Sequence, residues 1–412
     1  MATGLIKGNA IIGQSGGPTS VINQSLVGCV EVLQTSPHVD KIYGSHHAVR
    51  GMVEGNFIDM SEIPRDRLDR IAETPSAALG SSRDKPDEAY CRKIFKSFER
   101  HDIRFFFYIG GNDSSDTCRL INEMAKKDSY ELRCFHIPKT IDNDLQCNDH
   151  TPGYGSAAKF VASAFIGDNL DNRALPGIKI DVVMGRHAGF LTAASALARQ
   201  NPEDGPHLIY VPEVAFDTEK FIADVDRIYT RQGRVLIAVS EGIHAPDGTP
   251  MAVKLASETA GEVERDAHGN VQLSGTGALG DYLSLLLKQK LGTNLRVRAD
   301  TFGYMQRCFA GVVSPADRLE ARNAGRKAAE VALLGDLDGS IAIQRTSDVP
   351  YTVEYGLVKL EDVAAKTRTM PSEFLTGGND VTEAFLRYVR PIVGPLPTVE
   401  LLRIRNANLM TT

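Results

Sequence analysis

Six short apolar runs, each followed at once by glycine, carboxylate or cationic residues, constrain the fold of this chain more than any other feature. Each run has the length and the Val, Ile or aromatic content of a buried β-strand, and they lie at residues 10–13, 105–109, 134–137, 178–184, 207–211 and 235–239. Segments with helical spacing separate several of them. This alternation predicts an α/β fold with mostly parallel sheets. Because ligands bind outside the carboxyl ends of the strands in such sheets, the six strand ends predict one composite site.

The length and composition limit the classes of protein to which the chain can belong. Its 412 residues predict two or more domains, and its 42% hydrophobic and 24% charged residues are typical of globular proteins. A net charge of −6 argues against nucleic-acid or membrane partners. No apolar run approaches the ~20 residues that span a bilayer, no signal peptide is recognisable, and the six cysteines form no CxxC pair. We therefore expect a cytoplasmic protein with reduced cysteines.

Two glycine pairs follow predicted strands at places where an anion could bind. Gly16 and Gly17 precede a helical segment, so backbone N–H groups and the helix N-terminus would favour a phosphate there. A tight strand-to-helix turn would leave the same pattern. Gly111 is followed by Asn112 and Asp113, whose oxygens suit Mg²⁺ beside a bound phosphate.

The loop after the third apolar run carries the groups that phosphoryl transfer needs. Asp142 and Asp144 lie two positions apart, with Thr140 before them and Lys139 at the start of the loop. One carboxylate can accept the proton of an attacking hydroxyl while another helps to hold a metal, and the lysine can stabilise charge on the transferred group. Two carboxylates with a lysine in one strand-end loop favour this function over an Asx-rich turn.

Three other motifs are less specific. Residues 298–307 contain two arginines, which can chelate phosphate but are also common on protein surfaces. The Gly-Gly-Asn-Asp tetrapeptide recurs at residues 377–380 without a preceding strand, which predicts a loop and helix cap. Residues 275–280 fit the GxGxxG pattern of dinucleotide sites, but the segment before them is polar rather than a buried strand, so a dinucleotide site is disfavoured.

In this order the motifs resemble those of the phosphofructokinase family, over about residues 9 to 332. The match rests on the glycine pair, Leu-Gly-Ser-Ser-Arg at 79–83, Gly-Gly-Asn-Asp-Ser at 110–114, the loop 138–144, Met-Gly-Arg at 184–186, Pro-Glu at 212–213 and residues 298–307. The resemblance implies two Rossmann-like three-layer α/β domains with the active site in the cleft between them. We expect a phosphoryl-donor domain at residues 1–152 plus about 308–362, and a sugar-phosphate domain at residues 153–307 plus about 363–412.

The resemblance also implies roles for single residues. Asp142 matches the base that takes the proton from the sugar 1-hydroxyl. The full catalytic set comprises Asp142, Lys139, Thr140, Asp144 and Arg186. The donor phosphates match Gly16, Gly17, Arg83, Gly111 and Asp113. The sugar phosphate matches Thr140, Asp142, Met184, Gly185, Arg186, Glu213, Arg298, Tyr304 and Arg307.

Two positions bear on the phosphoryl donor. ATP-using relatives carry glycine where this chain has Asp113 and Lys139, whereas the pyrophosphate-using branch carries Asp and Lys. Asp113 would repel the α-phosphate side of ATP, and Lys139 adds positive charge for the small, highly charged pyrophosphate. The resemblance therefore implies a reversible, Mg²⁺-dependent transfer from pyrophosphate to the 1-hydroxyl of fructose 6-phosphate, giving fructose 1,6-bisphosphate and phosphate.

Some alternatives stay open at the level of sequence. The pyrophosphate-using branch commonly has Asp at the position of Asn112, so Mg²⁺ is expected on Asp113, with Asn112 or Asp142 as further candidates. No arginine aligns before Met184 for a phosphate contact across subunits, and Lys179 is nearest. An ATP-dependent 6-phosphofructokinase, a non-catalytic regulatory subunit of the same fold, and longer substrates such as sedoheptulose 7-phosphate are the alternatives. Because some family members take 6-phosphate ligands from a neighbouring subunit, a homodimer or homotetramer is implied.

Overall fold

The computed structural model describes residues 6–258, 277–335 and 337–402. The strands in chain order are β1 (Gly8–Gln14), β2 (Val39–Ser45), β3 (Phe57–Asp59), β4 (Ile103–Gly110), β5 (Arg133–Pro138), β6 (Ile178–Val183), β7 (Leu208–Tyr210), β8 (Val235–Ser240), β9 (Val297–Thr301), β10 (Gly339–Asp348), β11 (Tyr351–Val358), β12 (Leu375–Thr376) and β13 (Asp380–Val381).

The α-helices are α1 (Ile22–Leu33), α2 (Val49–Glu54), α3 (Arg65–Glu73), α4 (Glu88–Arg100), α5 (Asn112–Lys127), α6 (Tyr154–Ala174), α7 (Phe190–Ala194), α8 (Thr218–Gln232), α9 (Met251–Glu258), α10 (Ala278–Leu291), α11 (Pro315–Ala332), α12 (Leu360–Val363) and α13 (Glu383–Val393). Short 3₁₀ helices lie at Ser195–Ala198, Gly303–Arg307 and Ser372–Phe374.

The strands form two main sheets. The larger has the order β11-β10-β5-β4-β1-β2-β3, in which β2, β1, β4, β5 and β10 run parallel and the edge strands β3 and β11 run antiparallel to their neighbours. The smaller has the order β7-β8-β6-β9, and all of its pairings are parallel. Mostly parallel sheets with helices on their faces confirm the predicted α/β class.

The larger sheet is the middle of three layers, as its central strand β4 shows. Phe105 and Phe107 point to the side on which the apolar faces of α1 and α11 pack. Phe106 and Tyr108, the alternate residues, point to the other side and pack with α4 and α5. Because both faces of β4 are buried, the strand reads as a continuous apolar run, which is how the sequence identified it.

The loop between β5 and α6 is held in place by a distant helix. Asp317 in α11 is fully buried, and its carboxylate accepts hydrogen bonds from the backbone N–H groups of Gly153 and Ser156, both at 2.8 Å. These groups begin α6, where backbone N–H groups lack partners within the helix. The carboxylate therefore caps α6 and fixes the end of the loop that the sequence identified as catalytic.

The chain crosses between the two sheets after α11. Strands β10 and β11 join the edge of the larger sheet. Helix α13 then packs into the apolar cluster that also contains residues from α6 and α7. The segment beyond residue 332 thus touches both halves of the protein.

Several smaller predictions can be compared with the described residues. Residues 377–379 form the turn between β12 and β13, so the loop prediction is confirmed, but the helix cap is wrong because α13 begins after Thr382. Gly275 and Thr276 of the GxGxxG pattern lie outside the described residues. The six cysteines are free, as predicted. Among the described helices, none is both long enough and apolar enough to cross a membrane.

Candidate active site

A cavity of about 650 Å³ lies where the ends of both sheets meet. Residues that follow β1, β4 and β5 of the larger sheet and β6 of the smaller sheet line it. The lining includes the predicted residues Gly16, Gly17, Arg83, Gly111, Asn112, Asp113, Lys139, Thr140, Asp142, Asp144 and Arg186. It also includes Ser15, Ser82, Asp84, Lys85, Ser114 and His187, to which the sequence had given no role.

The loop that carries the two aspartates is fixed by hydrogen bonds at its start. The N–H of Thr140 donates to the carbonyl of Pro152 at 3.2 Å, and the hydroxyl of Thr151 donates to the carbonyl of Thr140 at 2.9 Å. The hydroxyl of Thr140 in turn accepts the N–H of Asp142 at 3.1 Å. Asn143 follows with a φ of 60°, a left-handed conformation that Asn tolerates better than most residues.

The glycine pair makes room for two cations. The ammonium of Lys139 donates to the carbonyl of Gly17 at 2.8 Å, and a side-chain carbon at Gly16 would lie 3.1 Å from it. A side-chain carbon at Gly17 would lie 3.2 Å from the guanidinium carbon of Arg307. The N–H of Gly16 is already donated to the carbonyl of Ser82 at 3.0 Å, and α1 begins several residues later. At the predicted anion site, the glycine pair therefore lies against two cationic side chains, whose closest atoms would have to shift by a few tenths of an ångström if either glycine carried a side chain.

Burial shifts the protonation of the groups in this cavity. Lys139 is buried, and removal from water together with the nearby charge of Arg307 lowers its pKa to about 7. Although Asp142 keeps some contact with solvent, the surrounding protein raises the pKa of its carboxyl group, against the opposing effect of Arg307 and Lys139. Burial and the neighbouring charge of Asp142 raise the pKa of Asp144 to about 7. A carboxylate with a raised pKa is a better proton acceptor, which suits a general base.

The N-terminus of α5 forms the opposite wall of the cavity. Gly111 is its N-cap residue, and Asn112 and Asp113 are the first two helical residues. An acidic residue in the first turn is stabilised by the helix dipole. The carboxylate of Asp113 forms an ion pair with Lys85 at 2.9 Å, and both side chains are about half exposed. This ion pair joins α5 to the loop that carries Arg83.

The carboxylates of the cavity suit Mg²⁺ as it is usually bound beside phosphates. Asp113, Asp142 and Asp144 line one cavity, but they do not form a compact group of three ligands. Mg²⁺ commonly uses one or two carboxylates and takes its other ligands from waters and substrate phosphates, so this donor set fits. The side-chain amide oxygen of Asn112 already accepts the N–H of Asp113 at 2.9 Å, which makes Asp113 the better candidate of the two.

A second carboxylate cluster lies away from the cavity and already holds an internal cation. Among the described residues, the one group of three acidic side chains close enough to share a metal is Asp168, Asp181 and Asp300. The ammonium of Lys179 contacts Asp300 and lies 3.4 Å from Asp181 and 3.8 Å from Asp168.

The other predicted sugar-phosphate residues lie outside the lining of the cavity, and they are Met184, Gly185, Glu213, Arg298, Tyr304 and Arg307. The N–H of Met184 donates to the side-chain oxygen of Gln306 at 3.2 Å, which joins the end of β6 to the turn after β9. The carbonyl of Gly185 accepts the hydroxyl of Ser240 at 2.7 Å. The guanidinium of Arg307 stacks on the ring of Tyr304 at 4.4 Å. Arg307, whose guanidinium lies against Gly17, thereby brings this turn to the donor loop.

Two predicted residues have other surroundings in this structure. Oε1 of Glu213 accepts the N–H groups of Gly189 and Met370, both at 2.9 Å, so this carboxylate joins two loops. Arg298 is the second residue of β9 and pairs with Lys179, near the start of β6. Met184, which directly follows β6, lies five positions after Lys179, a rise of about 16 Å at 3.3 Å per residue. Neither side chain lines the cavity.

The residues missed by sequence analysis differ in how they could have been found. His187 directly follows the predicted Arg186, so the same strand end contained the signal. Lys85 lies in a loop between two helices and follows no strand, so its place beside Asp113 depends on the tertiary fold. Glu241 directly follows β8 and is buried. Its negative charge opposes the lowering of the pKa of Arg307 that burial causes.

Comparison with known proteins gives a consistent set of similarities. Residues 9–332 match the family described as Phosphofructokinase. A protein of Rhodospirillum rubrum named pyrophosphate–fructose 6-phosphate 1-phosphotransferase is 56% identical over 391 residues, which cover 95% of each chain. One of Halomonas elongata with the same name is 36% identical, over 93% of this chain and 91% of its own. The crystal structure of a pyrophosphate-dependent phosphofructokinase from Marinobacter aquaeolei aligns with a TM-score of 0.83 and 30% identity, over 97% of this chain and 98% of its own.

Proposed function

Because this chain belongs to the phosphofructokinase family and is a phosphotransferase, we propose that it moves a phosphoryl group from pyrophosphate to the 1-hydroxyl of fructose 6-phosphate. The products are fructose 1,6-bisphosphate and phosphate, and the reaction runs in both directions. The observation that carries the donor assignment is the presence of Lys139, Asp113 and Asp142 in one cavity. The names of the relatives from Rhodospirillum rubrum and Halomonas elongata support the same donor and acceptor.

The residues of the cavity divide the reaction among them. Asp142 accepts the proton of the 1-hydroxyl as its oxygen attacks the terminal phosphorus of pyrophosphate. The bond from that phosphorus to the bridging oxygen breaks, and phosphate leaves with the bridging oxygen. Lys139, which lies against the glycine pair, offsets the negative charge on the transferred group.

Mg²⁺ is the proposed cofactor, with Asp113 as its first candidate ligand and Asp142 or Asn112 as alternatives. When bound, the ion neutralises charge on the phosphates and holds their oxygens in position. Arg83 and Lys85 supply further positive charge on the same side of the cavity.

The position of Asp113 explains why a short donor is favoured. It lies in the first turn of α5 and pairs with Lys85, so a carboxylate stands on the cavity wall beside the donor loops. A nucleotide would bring additional phosphate charge against that carboxylate, and like charges in contact cost several kcal/mol. Pyrophosphate lacks this additional phosphate.

Product formation by the purified chain with Mg²⁺ and fructose 6-phosphate, with pyrophosphate and ATP compared side by side, tests the proposal. We expect turnover with pyrophosphate and little with ATP, and pyrophosphate formation in the reverse assay with fructose 1,6-bisphosphate and phosphate. Turnover with ATP alone would overturn the donor. Inactivity with both donors would favour another sugar phosphate, such as sedoheptulose 7-phosphate, or a non-catalytic subunit.

The Asp142→Ala variant tests the base directly. It should lower kcat by roughly 1,000-fold, because proton acceptance alone contributes 10²–10⁴-fold, while circular dichroism and thermal unfolding remain close to those of the wild type. Unchanged turnover would exclude Asp142 as the base. The matched control is Asp116→Ala, which removes a carboxylate from the helix α5 outside the cavity lining.

We also propose that the protein acts as a homodimer or homotetramer. Arg298 lies on the edge strand β9 and away from the cavity of its own chain. A second copy that placed its Arg298 beside Arg307 and Tyr304 would complete a pocket for the 6-phosphate of the sugar.

A further inference from the structure

The loop that carries Asp142 and Asp144 is held from below by a segment that the family match does not include. The match covers residues 9–332, and the residues that reach the loop come from 367–388. The backbone N–H of Arg368 donates to the carbonyl of Asp144 at 2.8 Å, and Thr367 forms a bridge with Leu145. The segment thus lies alongside the loop like an added strand.

The guanidinium of Arg368 makes four hydrogen bonds, and all of them reach this loop or its continuation. Nε donates to the carbonyl of Asn143 at 2.9 Å, and Nη2 donates to the side-chain oxygen of the same residue at 2.9 Å. The carbonyls of Asn148 and Asp149 accept the other two, at 2.5 and 2.6 Å. A planar guanidinium with donors in fixed directions can hold several carbonyls at once, which an ammonium cannot.

Asn143 is the residue through which this contact orients the loop. It is fully buried and has a φ of 60°. Its side-chain oxygen also accepts the N–H of Thr151 at 3.1 Å, and its side-chain nitrogen donates to the hydroxyl of Tyr388 at 2.7 Å. Its neighbours Asp142 and Asp144 both line the cavity. Since the middle residue is anchored in the protein interior, the carboxylates on either side of it can face the cavity.

We propose that Arg368 is a positioning residue for the phosphoryl transfer, which holds Asn143 so that Asp142 and Asp144 face the cavity. The inference rests on the proposed function for its catalytic part. The segment beyond residue 332 lies outside the family match and contributes no residue to the cavity lining, and this proposal gives it a role. Arg368 itself touches no substrate in this account, and its effect passes through Asn143.

The Arg368→Met variant and a matched control separate positioning from general stability. The control is Arg322→Met, which removes another partly buried arginine that joins Glu31 and Asp69 far from the cavity. We expect Arg368→Met to lower kcat about 100-fold, the size expected when a catalytic group is misplaced by about 1 Å, with little change in KM. Arg322→Met should keep the wild-type kcat at temperatures below its unfolding transition.

Two further readouts respond to the guanidinium itself. Low-millimolar guanidinium chloride should restore part of the activity of Arg368→Met. It should not increase the activity of the wild type. Arg368→Lys should lie between the wild type and Arg368→Met, because an ammonium reaches only some of the four acceptors. If Arg368→Met fails to fold, Arg368→Lys with and without guanidinium carries the test. Equal losses of kcat in the Arg368 and Arg322 variants would overturn the proposal.

Hydrogen–deuterium exchange tests the placement without any assay of activity. The amides of residues 140–153 should exchange at least about tenfold faster in Arg368→Met than in the wild type, since a loop released from its anchor opens more often, and should be unchanged in Arg322→Met. Unchanged exchange in Arg368→Met would overturn the proposal. If the wild type uses no phosphoryl donor, the proposed function fails, whereas this exchange result still decides the role of Arg368.

Discussion

At the level of single residues, the glycine pair leaves room for two cationic side chains. A side chain at Gly16 would meet the ammonium of Lys139, and one at Gly17 would meet the guanidinium of Arg307. The two cations come from distant parts of the chain and pack closely against these two positions. The sequence predicted an anion site at the glycines and phosphate-binding roles for Lys139 and Arg307, but local pattern could not show that both cations lie against the glycines.

The donor preference depends on two of these residues and can be altered. We expect the double variant Asp113→Gly with Lys139→Gly to raise kcat/KM for ATP roughly 10-fold or more, because a like charge facing the nucleotide is removed. It should lower kcat/KM for pyrophosphate roughly 100-fold, because a buried charge that stabilises the transferred group is lost. Steady-state kinetics with both donors at saturating fructose 6-phosphate and Mg²⁺ measure the two effects.

A third position provides the control for that experiment. Lys85→Met breaks the ion pair with Asp113 but keeps its carboxylate. ATP should therefore remain a poor donor for Lys85→Met, and become a poorer one if Lys85 also binds phosphate. If kcat/KM for ATP does not rise in the double variant, Asp113 is not the group that excludes nucleotides.

At the level of secondary structure, six parallel strands were predicted, whereas the parallel strands β2 and β9 and the hairpin of β10 and β11 were not. The six predicted runs appear as β1, β4, β5, β6, β7 and β8 because buried parallel strands are apolar on both faces. Strands β10 and β11 were not predicted, although Thr352 and Glu354 in β11 are exposed between less exposed neighbours, which is the period-two pattern of an edge strand. That β10 pairs with β5 could not be inferred, since the pairing joins segments about half the chain apart.

The hairpin of β10 and β11 helps to enclose a buried charge cluster next to the loop that is predicted to be catalytic. His150 is buried, and its ring nitrogens lie 2.7 Å from Asp149 and 2.6 Å from Glu320 of α11. The hydroxyl of Tyr351, the first residue of β11, donates to Glu320 at 2.7 Å. Burial alone would lower the pKa of His150, but the hydrogen bonds and charges of Asp149 and Glu320 raise it to about 9. Three elements are thus joined through one imidazolium.

This cluster predicts a pH-dependent contribution to stability. Because the folded pKa of His150 is about 9 and the unfolded value is near 6.5, its contribution is complete below about pH 6.5 and is lost as pH rises through about 9. His150→Gln should lower the free energy of unfolding by about 3 kcal/mol at pH 6, and the difference from the wild type should shrink by pH 10. Urea unfolding at both pH values measures it.

An exposed ion pair serves as the comparison. Glu383→Gln breaks the pair with Arg390, in which both side chains are 56% exposed, and should change the free energy of unfolding by less than about 1 kcal/mol. Its effect should be similar at pH 6 and pH 10. A difference for His150→Gln that is the same at the two pH values would show that the imidazole is neutral in the folded protein.

At the level of the whole molecule, the cavity brings together equal numbers of cationic and acidic side chains. Arg83, Lys85, Lys139 and Arg186 line it together with Asp84, Asp113, Asp142 and Asp144, so its formal charges balance in a protein whose net charge is −6. Because the four cations follow different elements of both halves, they gather only when the two sheets meet. Four cations in one cavity can offset the charge of a small anion, which suits the proposed substrate pyrophosphate.

If Arg298 binds the 6-phosphate as proposed, the site is incomplete within one copy, since Arg298 lies on the edge strand β9 and does not line the cavity. If a second copy supplies it, two inactive variants should restore each other when they are mixed. In a random mixture of Asp142→Ala and Arg298→Met chains, half of the dimers are hybrids, and one of the two sites in each hybrid has both residues intact. About one quarter of the wild-type activity should therefore return after the chains are unfolded and refolded together.

A second mixture, of two variants that both alter the site of their own chain, shows whether the recovered activity comes from hybrid dimers or from the refolding procedure itself. Asp142 and Lys139 belong to the same loop, so a mixture of Asp142→Ala and Lys139→Met chains leaves a defect in every site of every hybrid. It should recover no activity under the same protocol. Full activity of Arg298→Met alone would remove this residue from the 6-phosphate pocket. A weakly active Arg298→Met that Asp142→Ala chains do not rescue would place Arg298 in the site of its own chain, which would require the cleft between the two sheets to close when substrate binds.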